Sequence, residues 1–488
     1  MQGTEAILGP GGLIAIFLYL ASLLVIGWRA NRASRETSLK DYYLAGSSMG
    51  AVSVFFTLYA TQYSGNTLSA VPGNAYRNGF IGLSIVVAVM AIVLVYYTYA
   101  PALNRLSKKQ SFVSIGDFIK WRFGSKPLLI AVNVIAILTL ITYALGNFKA
   151  VGLLLETASG GAISFPVGIL VLALVMAFYE SLGGLRGVVW TDVIQGSLLF
   201  LGCLMLFFAV VSLNGPESVT NPTVLAGKLT TYFTDDIQTA SFLSIVVLVA
   251  IGGAVYPQAI QRIYIAKDAR TLKRSYAPLL VMPILTTLPM ILVGMSVADW
   301  RPELSREQSE NVIIYAVEHI TGAYPSLAWL LILYLGAAIA AIMSTIDSAM
   351  LTLGSIVTKD MISSDLEEDG GKRLYRVSRY LSWALMMVMA VLAIVLPQTI
   401  WALLIFKFEF LIQTAPAFIL GVRTARVTTG GVLWGLLAGV TVTLVLKLSY
   451  LVGTDYSHLG GIHAGLWGLM LNLLVIAVCA SRQKASAA

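Results

Sequence analysis

A polar cluster, Ser344–Ser348, interrupts one of the most apolar stretches of the chain, residues 330–356. A helix that crosses lipid normally excludes hydroxyls and carboxylates, because each raises the free energy in hydrocarbon unless it has a partner. One helical face, by its i, i+3, i+4 and i+7 spacing, carries Ala341, Ser344, Thr345 and Ser348. Two hydroxyl oxygens and a nearby carboxylate on an inward face suit a hard monovalent cation. The cluster therefore predicts a cation site.

Two apolar stretches contain breaks that would position such a site. Polar residues 59–67 interrupt the second stretch, and Gly252-Gly253 followed by Tyr256-Pro257-Gln258 interrupts the seventh. Proline removes a backbone donor, and paired glycines lower helix propensity. The breaks stand five stretches apart, so stretches 2–6 and 7–11 are predicted to be inverted repeats, the pattern of a secondary transporter with its site at the membrane midplane. The alternative is a pair of ordinary kinks, which membrane helices tolerate.

Composition and segment length indicate a polytopic helical membrane protein. The 488 residues are 58% hydrophobic and 11% charged, about half the charge of an average soluble chain. Apolar runs of about 20 residues can cross a ~30 Å hydrocarbon core. About thirteen such spans lie near 12–28, 48–73, 79–101, 127–155, 163–181, 187–213, 240–264, 276–298, 326–356, 377–396, 399–421, 428–451 and 463–481.

The basic residues predict the topology. With the N-terminus outside, 25 of the 32 lysines and arginines fall in the cytoplasmic loops and in the cytoplasmic C-terminus. The net charge of +8 is therefore a topological signal, and no nucleic-acid partner is expected. The chain is predicted to lie in the plasma membrane (the inner membrane of a bacterium), as a monomer or loose oligomer.

A single transporter domain is predicted over residues 1–488. It divides into a first span and inner loop (1–46), a first repeat (47–213), a second repeat (240–421) and two C-terminal spans (422–488). The chain contains no metalloprotease, nucleophile-elbow or phosphate-loop motif, so neither an enzyme nor an ATP-driven pump is expected.

Five sequence stretches carry a resemblance to a known family. They are Asp41–Gly46, Gly183–Leu185 with Trp190–Gln195, Pro257-Gln258 with Gln261-Arg262, Ser344–Ser348, and Gln413–Pro416 with Gly421. In this order and at these depths the chain resembles the sodium/solute symporters, which include bacterial proline, sialic acid, pantothenate and sugar transporters and the animal sodium–glucose cotransporters. The resemblance implies a LeuT-type fold of five plus five inverted helices, with three further spans outside the core.

The resemblance also implies a ligand set for sodium, Na+. Its members would be the carbonyls of Ala60, Tyr63 and Ala341 with the hydroxyls of Ser344 and Thr345. The residues themselves point the same way, because an unwound second span frees carbonyls and the ninth span offers hydroxyls. The alternative is that both hydroxyls bond back to carbonyls one turn earlier, as Ser and Thr often do in membrane helices.

Asp192, in the sixth span, is a possible second cation or coupling site. Some relatives use the matching aspartate for a second sodium, together with a serine at the position of Ala341, which has no hydroxyl here. A structural or exit-path role for Asp192 is the alternative. Asp347 is expected either to pair with Arg262 or to be solvated from the inner side.

The substrate candidates lie at the breaks and in the eleventh span. They are Gln62, Ser64, Asn66, Thr67, Gly253, Lys407 and Glu409. Lys407 and Glu409 are about 200° apart around a helix, so both cannot face one cavity squarely. Glu409 is within a residue of the substrate glutamine of sugar-transporting relatives. Asn66, Val249 and Gly253 replace aromatic pocket residues of proline transporters, which argues against proline.

The predicted function is sodium-coupled symport of a small polar organic solute, an amino acid or carboxylate in preference to a sugar, by alternating access. Two alternatives stay open. Proton coupling through Asp192, Glu409 or Asp347 is one, and a transporter-like sensor acting with a separate signalling partner is the other.

Overall fold

The computed structural model describes residues 10–33, 38–214, 236–362, 372–396, 400–449 and 454–486. Across these ranges the regular structure is helical, and the extended pairing is an isolated bridge between Met49 and Ala266. The amide of Met49 donates to the Ile265 carbonyl at 3.1 Å, and the Met49 carbonyl accepts from the Lys267 amide at 3.0 Å. The bridge connects the residues just before the second span with those just after the seventh.

The helices of the first half, in chain order, are α1 Pro10–Arg32, α2 Leu39–Leu44, α3 Ala51–Gln62, α4 Gly65–Leu68, α5 Ala70–Asn78, α6 Leu83–Gln110, α7 Ile115–Phe123, α8 Lys126–Ala158 and α9 Phe165–Asn214. Local sequence explains several of their starts. Ser114 and Asp117 form a reciprocal capping box that begins α7. Ser125 caps α8 and is followed by a proline in the first turn, where its missing N–H costs nothing.

The helices of the second half are α10 Asp236–Ala254, α11 Pro257–Ile265, α12 Ala269–Met282, α13 Leu288–Trp300, α14 Val312–Ala323, α15 Trp329–Ser355, α16 Lys372–Val395, α17 Ile400–Leu411, α18 Gly421–Arg423, α19 Thr429–Leu448 and α20 Ala464–Ser486. A π-helical turn, Pro283–Thr287, joins α12 to α13, so the two form one long rod. A second π-helical segment, Ile356–Ile362, extends α15.

Ten helical stretches of the described chain are long and apolar enough to cross a membrane. The predicted thirteen crossings differ from ten for identifiable reasons. The stretch Phe165–Leu213, 49 residues long, holds two predicted spans in one bent rod. The second span is divided among α3, α4 and α5. The eleventh has only the 12-residue α17, which is followed by a 3₁₀ turn, Ile412–Thr414, and a π-helical turn, Pro416–Leu420.

The bend inside α9 occurs at Gly184, whose φ of 51° and ψ of −152° are outside the helical region. A Cβ at this position would lie 2.7 Å from the carbonyl oxygen of Tyr42. Both the backbone angles and the close approach of α2 therefore require glycine here. The bend allows one continuous rod to supply the fifth and sixth spans.

Helix α15 forms the centre of the molecule. Nearly all of its side chains are buried, and it packs against α8, α9 and α3. Four alanines in its middle, Ala337, Ala338, Ala340 and Ala341, permit the close approach of neighbouring helices. At the periphery, α1 packs on α9, and α19 pairs with α20. The polar cluster of the ninth span therefore faces protein on every side.

Candidate functional site

The second span unwinds between α3 and α4. Tyr63 has an extended conformation, with φ −95° and ψ 98°, and helix resumes at Gly65. Side chains from α8 satisfy the backbone around this break. The Tyr143 hydroxyl donates to the Thr61 carbonyl at 2.9 Å, and the Gly65 amide donates to Asn147 Oδ1 at 3.0 Å. These bonds hold the break open inside an apolar bundle.

The break packs directly against the polar cluster of α15. Both α3 and α4 contact α15, and Thr61 Oγ1 at the end of α3 lies 2.8 Å from Ser348 Oγ in the polar cluster. All five predicted sodium ligands are buried. A Cβ on Gly65 would lie 2.6 Å from Ile342 Cγ1, which shows how closely the two backbones approach. The five predicted sodium ligands therefore come from two contacting elements.

The two hydroxyls of the predicted ion site differ in their bonding. Ser344 Oγ donates to Asp192 Oδ1 at 2.5 Å. Thr345 Oγ1 lies near the Tyr143 hydroxyl, yet it makes no hydrogen bond of normal geometry with the described residues. Buried hydroxyls are almost always hydrogen-bonded. Thr345 Oγ1 is therefore a buried oxygen without a hydrogen bond of normal geometry to the described residues, close to the Tyr143 hydroxyl that bonds the break.

Asp192 is completely buried and is held by hydroxyls from two helices. Thr57 Oγ1 donates to its Oδ2 and Ser344 Oγ to its Oδ1, each at 2.5 Å. Arg262 reaches the carboxylate through Thr57, since its Nε lies 3.3 Å from Thr57 Oγ1. Arg262 Nη2 also donates to Ser348 Oγ at 2.6 Å. Asp192 is thus linked by one hydroxyl to the predicted ion site and by another to a buried guanidinium.

Asp347, three residues after Ser344 on α15, contacts α9. Its Oδ2 accepts a hydrogen bond from the Tyr179 hydroxyl, and its Oδ1 has no hydrogen-bond partner among the described residues. Tyr179 therefore takes the place that had been considered for Arg262. Asp347 belongs to the packing between α15 and α9.

A cavity of about 60 Å³ opens beside the break. Its lining residues are Gln62, Ser64, Thr67, Val71, Ile85, Val89, Ile92, Tyr143, Val249, Tyr256, Lys407 and Phe408. The second and seventh spans both contribute at the points where they are interrupted. The cavity thus lies between the two predicted repeats, where a transported solute would bind.

Lys407 and Glu409 face opposite ways. Lys407 lines the cavity, with Nζ 3.5 Å from the Tyr143 ring centroid and 5.2 Å from that of Tyr256. Glu409 turns toward the C-terminal helices, where Lys447 Nζ lies 2.8 Å from its Oε2 and His463 Nδ1 lies 3.4 Å from its Oε1. Glu409 is therefore placed as a structural anchor for α19 and α20.

The other substrate candidates divide in the same way. Gln62, Ser64 and Thr67 line the cavity. Gly253 stands behind its wall, because a Cβ there would lie 2.5 Å from Ile92 Cδ1. The side chain of Asn66 lies outside the described residues.

Sequence reasoning missed the aromatic walls of the cavity. Tyr143 and Tyr256 stack with ring centroids 5.3 Å apart, and Tyr256 also contacts Phe408. Tyr143 is one aromatic among many on apolar helices, so its sequence context does not distinguish it. Tyr256 carried a usable signal, since it directly precedes the proline that restarts the seventh span.

The chain is similar to a known family and to several known proteins. The family model described as the sodium:solute symporter family matches residues 42–439. The osmoregulated proline transporter OpuE of Bacillus subtilis is 26% identical over 471 residues, covering 95% of this chain and 93% of the relative. The sodium/pantothenate symporter of Escherichia coli is 26% identical over 480 residues, covering 96% and 95%. The sodium/sialic acid symporter NanT of Aliivibrio fischeri is 28% identical over 237 residues, covering 46% of this chain and 43% of the relative.

Two solved structures are similar in fold. A Na+-coupled sialic acid symporter in a substrate-bound outward-open state has a TM-score of 0.76 at 19% identity and covers 97% of this chain and 98% of its own. Mhp1, a nucleobase-cation-symport-1 family transporter, has a TM-score of 0.58 at 15% identity, covering 91% and 95%. Both have the LeuT fold, which confirms the architecture that the resemblance implied. The chain is an integral membrane protein and belongs to the sodium:solute symporter family.

Proposed function

We propose that the protein is a sodium-coupled symporter that imports a small polar organic solute, an amino acid or a carboxylate, by alternating access. Sodium would bind at the joint between the break and α15, held by the carbonyls of Ala60, Tyr63 and Ala341 and the hydroxyls of Ser344 and Thr345. The observation that carries this proposal is Thr345 Oγ1, a buried oxygen beside an unwound helix with no hydrogen bond to the described residues. A bound cation would satisfy it.

The joint explains how an ion would drive transport. Sodium bridges α3 and α15, so it favours the conformation in which these helices are in contact at the site. An ion shifts such an equilibrium only by its differential affinity for the two states. Each charge that moves inward also gains ~2.3 kcal/mol per 100 mV of membrane potential. The solute cavity shares the break with the ion site, because Gln62 and Ser64 line it.

Asp192 is proposed as a coupling residue. It accepts a hydrogen bond from Ser344, one of the proposed sodium ligands, and is connected through Thr57 to Arg262. Occupation of the ion site would pull Ser344 Oγ toward the cation and alter this chain of bonds. Proton coupling through Asp192 or Asp347 is the competing function, favoured by the burial of both carboxylates.

The orientation and the division into repeats are proposed as well, with the N-terminus outside and the C-terminus cytoplasmic. Three ion pairs join separate loops: Arg186–Asp41 at 2.6 Å, Lys120–Asp360 at 3.3 Å and Arg77–Glu310 at 3.5 Å. The first two connect loops that the charge pattern puts inside, and the third connects two outer ones. No pair contradicts the predicted alternation among the described loops. A membrane-impermeant maleimide should label Glu303→Cys, but not Lys109→Cys, on intact cells.

The coupling ion and solute class are tested together by thermal unfolding of the purified protein. Amino acids, carboxylates and sugars are screened with sodium present and with choline in its place. Ligand binding raises apparent stability by mass action. We expect one class to stabilise the protein only when sodium is present. Stabilisation that is independent of sodium but changes with pH would favour proton coupling.

A further inference from the structure

Among the described residues that line the cavity, Lys407 is the one with a charged side chain. Its side chain is 2% exposed, and Nζ makes no hydrogen bond with the described residues. The faces of Tyr143 and Tyr256 replace part of the hydration that the ammonium has lost. A buried ammonium that retains donors without acceptors favours an anionic ligand.

The wall offers no acid to balance a second, positive charge on the ligand. None of the described lining residues is a carboxylate. The undescribed side chains on the same segments, Asn66 and those of residues 401–405, are not acidic either. Glu409, two residues from Lys407, is turned away and paired with Lys447 at 2.8 Å. An amino acid would therefore bring an ammonium group into a site whose one described charge is already positive.

The size and apolar surface of the cavity restrict the ligand further. The cavity volume is about 60 Å³, so a compact solute fits it better than a bulky one. Five aliphatic side chains form much of the wall: Val71, Ile85, Val89, Ile92 and Val249. A short hydrocarbon body fits them.

Resting on the symport function proposed above, we propose that the solute is a short aliphatic carboxylate bound through Lys407. The carboxylate accepts from Nζ, and the hydrocarbon part packs between the aliphatic wall and the aromatic rings. Lys407 is the specificity-determining residue, and it selects the carboxylate over the amino acid of the same skeleton.

Three matched compounds test this selection on the unaltered full chain in detergent with sodium. Propionate, L-alanine and propionamide share a skeleton, and they differ by an added ammonium or by loss of the negative charge. We expect propionate to bind about 10- to 100-fold more tightly than either of the others, the range for a charged hydrogen bond. Isothermal titration calorimetry measures all three affinities. Equal binding of alanine or propionamide would overturn the proposal.

Two lysine variants test the role of the side chain. Lys407→Met should weaken propionate binding by the same 10- to 100-fold. Lys149→Met makes the same change on α8 outside the cavity, where Nζ donates to the Leu396 carbonyl, and should bind propionate normally. Stabilisation by sodium alone confirms that each variant is folded. Unchanged propionate binding by folded Lys407→Met would overturn the assignment.

The outcomes separate this inference from the function on which it rests. If another solute gives sodium-dependent stabilisation and propionate does not, the carboxylate proposal fails and symport stands. If no solute in the screen gives sodium-dependent stabilisation, both proposals fail.

Discussion

Replacing Thr345 with valine separates ion binding from folding. The variant removes one hydroxyl and keeps the β-branched shape of the side chain. Thr345 Oγ1 makes no hydrogen bond with the described residues, so its loss leaves no partner unsatisfied there. An unsatisfied buried hydroxyl costs about 1–3 kcal/mol. The ion-free variant should therefore be at least as stable as the parent protein.

The same change should weaken sodium binding strongly. The proposed site has five oxygens, and Thr345→Val removes one of them. A contact between a polar group and a charge contributes about 1.5–3 kcal/mol, which corresponds to a rise in the sodium Kd of about 10- to 150-fold. Thermal unfolding measured across a sodium titration, with choline keeping ionic strength constant, gives both the ion-free stability and the sodium midpoint.

Thr352→Val provides the matched control one helix turn beyond the cluster. The Thr352 hydroxyl has one hydrogen to donate and lies 2.7 Å from both Gln261 Oε1 and the Ser348 carbonyl, so Thr352→Val removes a buried hydrogen bond. We expect a loss of stability of about 1–3 kcal/mol and an unchanged sodium midpoint. An unchanged sodium midpoint in Thr345→Val would show that Thr345 does not bind sodium, and destabilisation equal to that of the control would show that its hydroxyl has a structural partner.

Three further predictions concern the surroundings of the site. Gly65→Ala places a Cβ 2.6 Å from Ile342 Cγ1, so it should abolish sodium-dependent stabilisation while the protein still folds, as thermal unfolding will show. Glu409→Gln removes the ion pair with Lys447 and should lower the unfolding temperature while leaving sodium and solute affinities unchanged in calorimetry. Burial raises the pKa of Glu310. The folded state therefore holds this proton more tightly than the unfolded state, so the free energy of unfolding falls as pH rises through the folded-state pKa. Glu310→Gln should flatten this pH dependence in unfolding measured from pH 4 to 8.

Much of the architecture could be predicted, because a helix that crosses a membrane needs a long apolar segment that is easy to recognise in a sequence. Apolar length predicts the spans. The distribution of lysine and arginine predicts their sidedness, which stays a prediction. The breaks were also visible, since Gly252-Gly253 before Pro257 and the polar run 59–67 conflict with an unbroken lipid-crossing helix. The division of the second span into α3, α4 and α5 follows from the second of these.

Side-chain direction could not be predicted to the same extent. Helical spacing shows that Lys407 and Glu409 diverge, but it gives no information on which one meets the cavity. That depends on the rotation of α17, which packs against α8 and places Lys407 over Tyr143. The hydrogen-bond partner of Asp347 could not be predicted for the same reason. Tyr179 lies 168 residues away in the sequence and reaches Asp347 only because α9 packs against α15.

We propose that a sodium ion at the joint between the break and α15 drives solute uptake. The most direct measurement is accumulation of the solute found in the stabilisation screen by proteoliposomes under an imposed sodium gradient, with and without an uncoupler. Accumulation should require sodium, survive the uncoupler, and vanish in the double variant Ser344→Ala with Thr345→Ala. Accumulation that persists in the double variant, or that ignores sodium and collapses with the uncoupler, would contradict the claim.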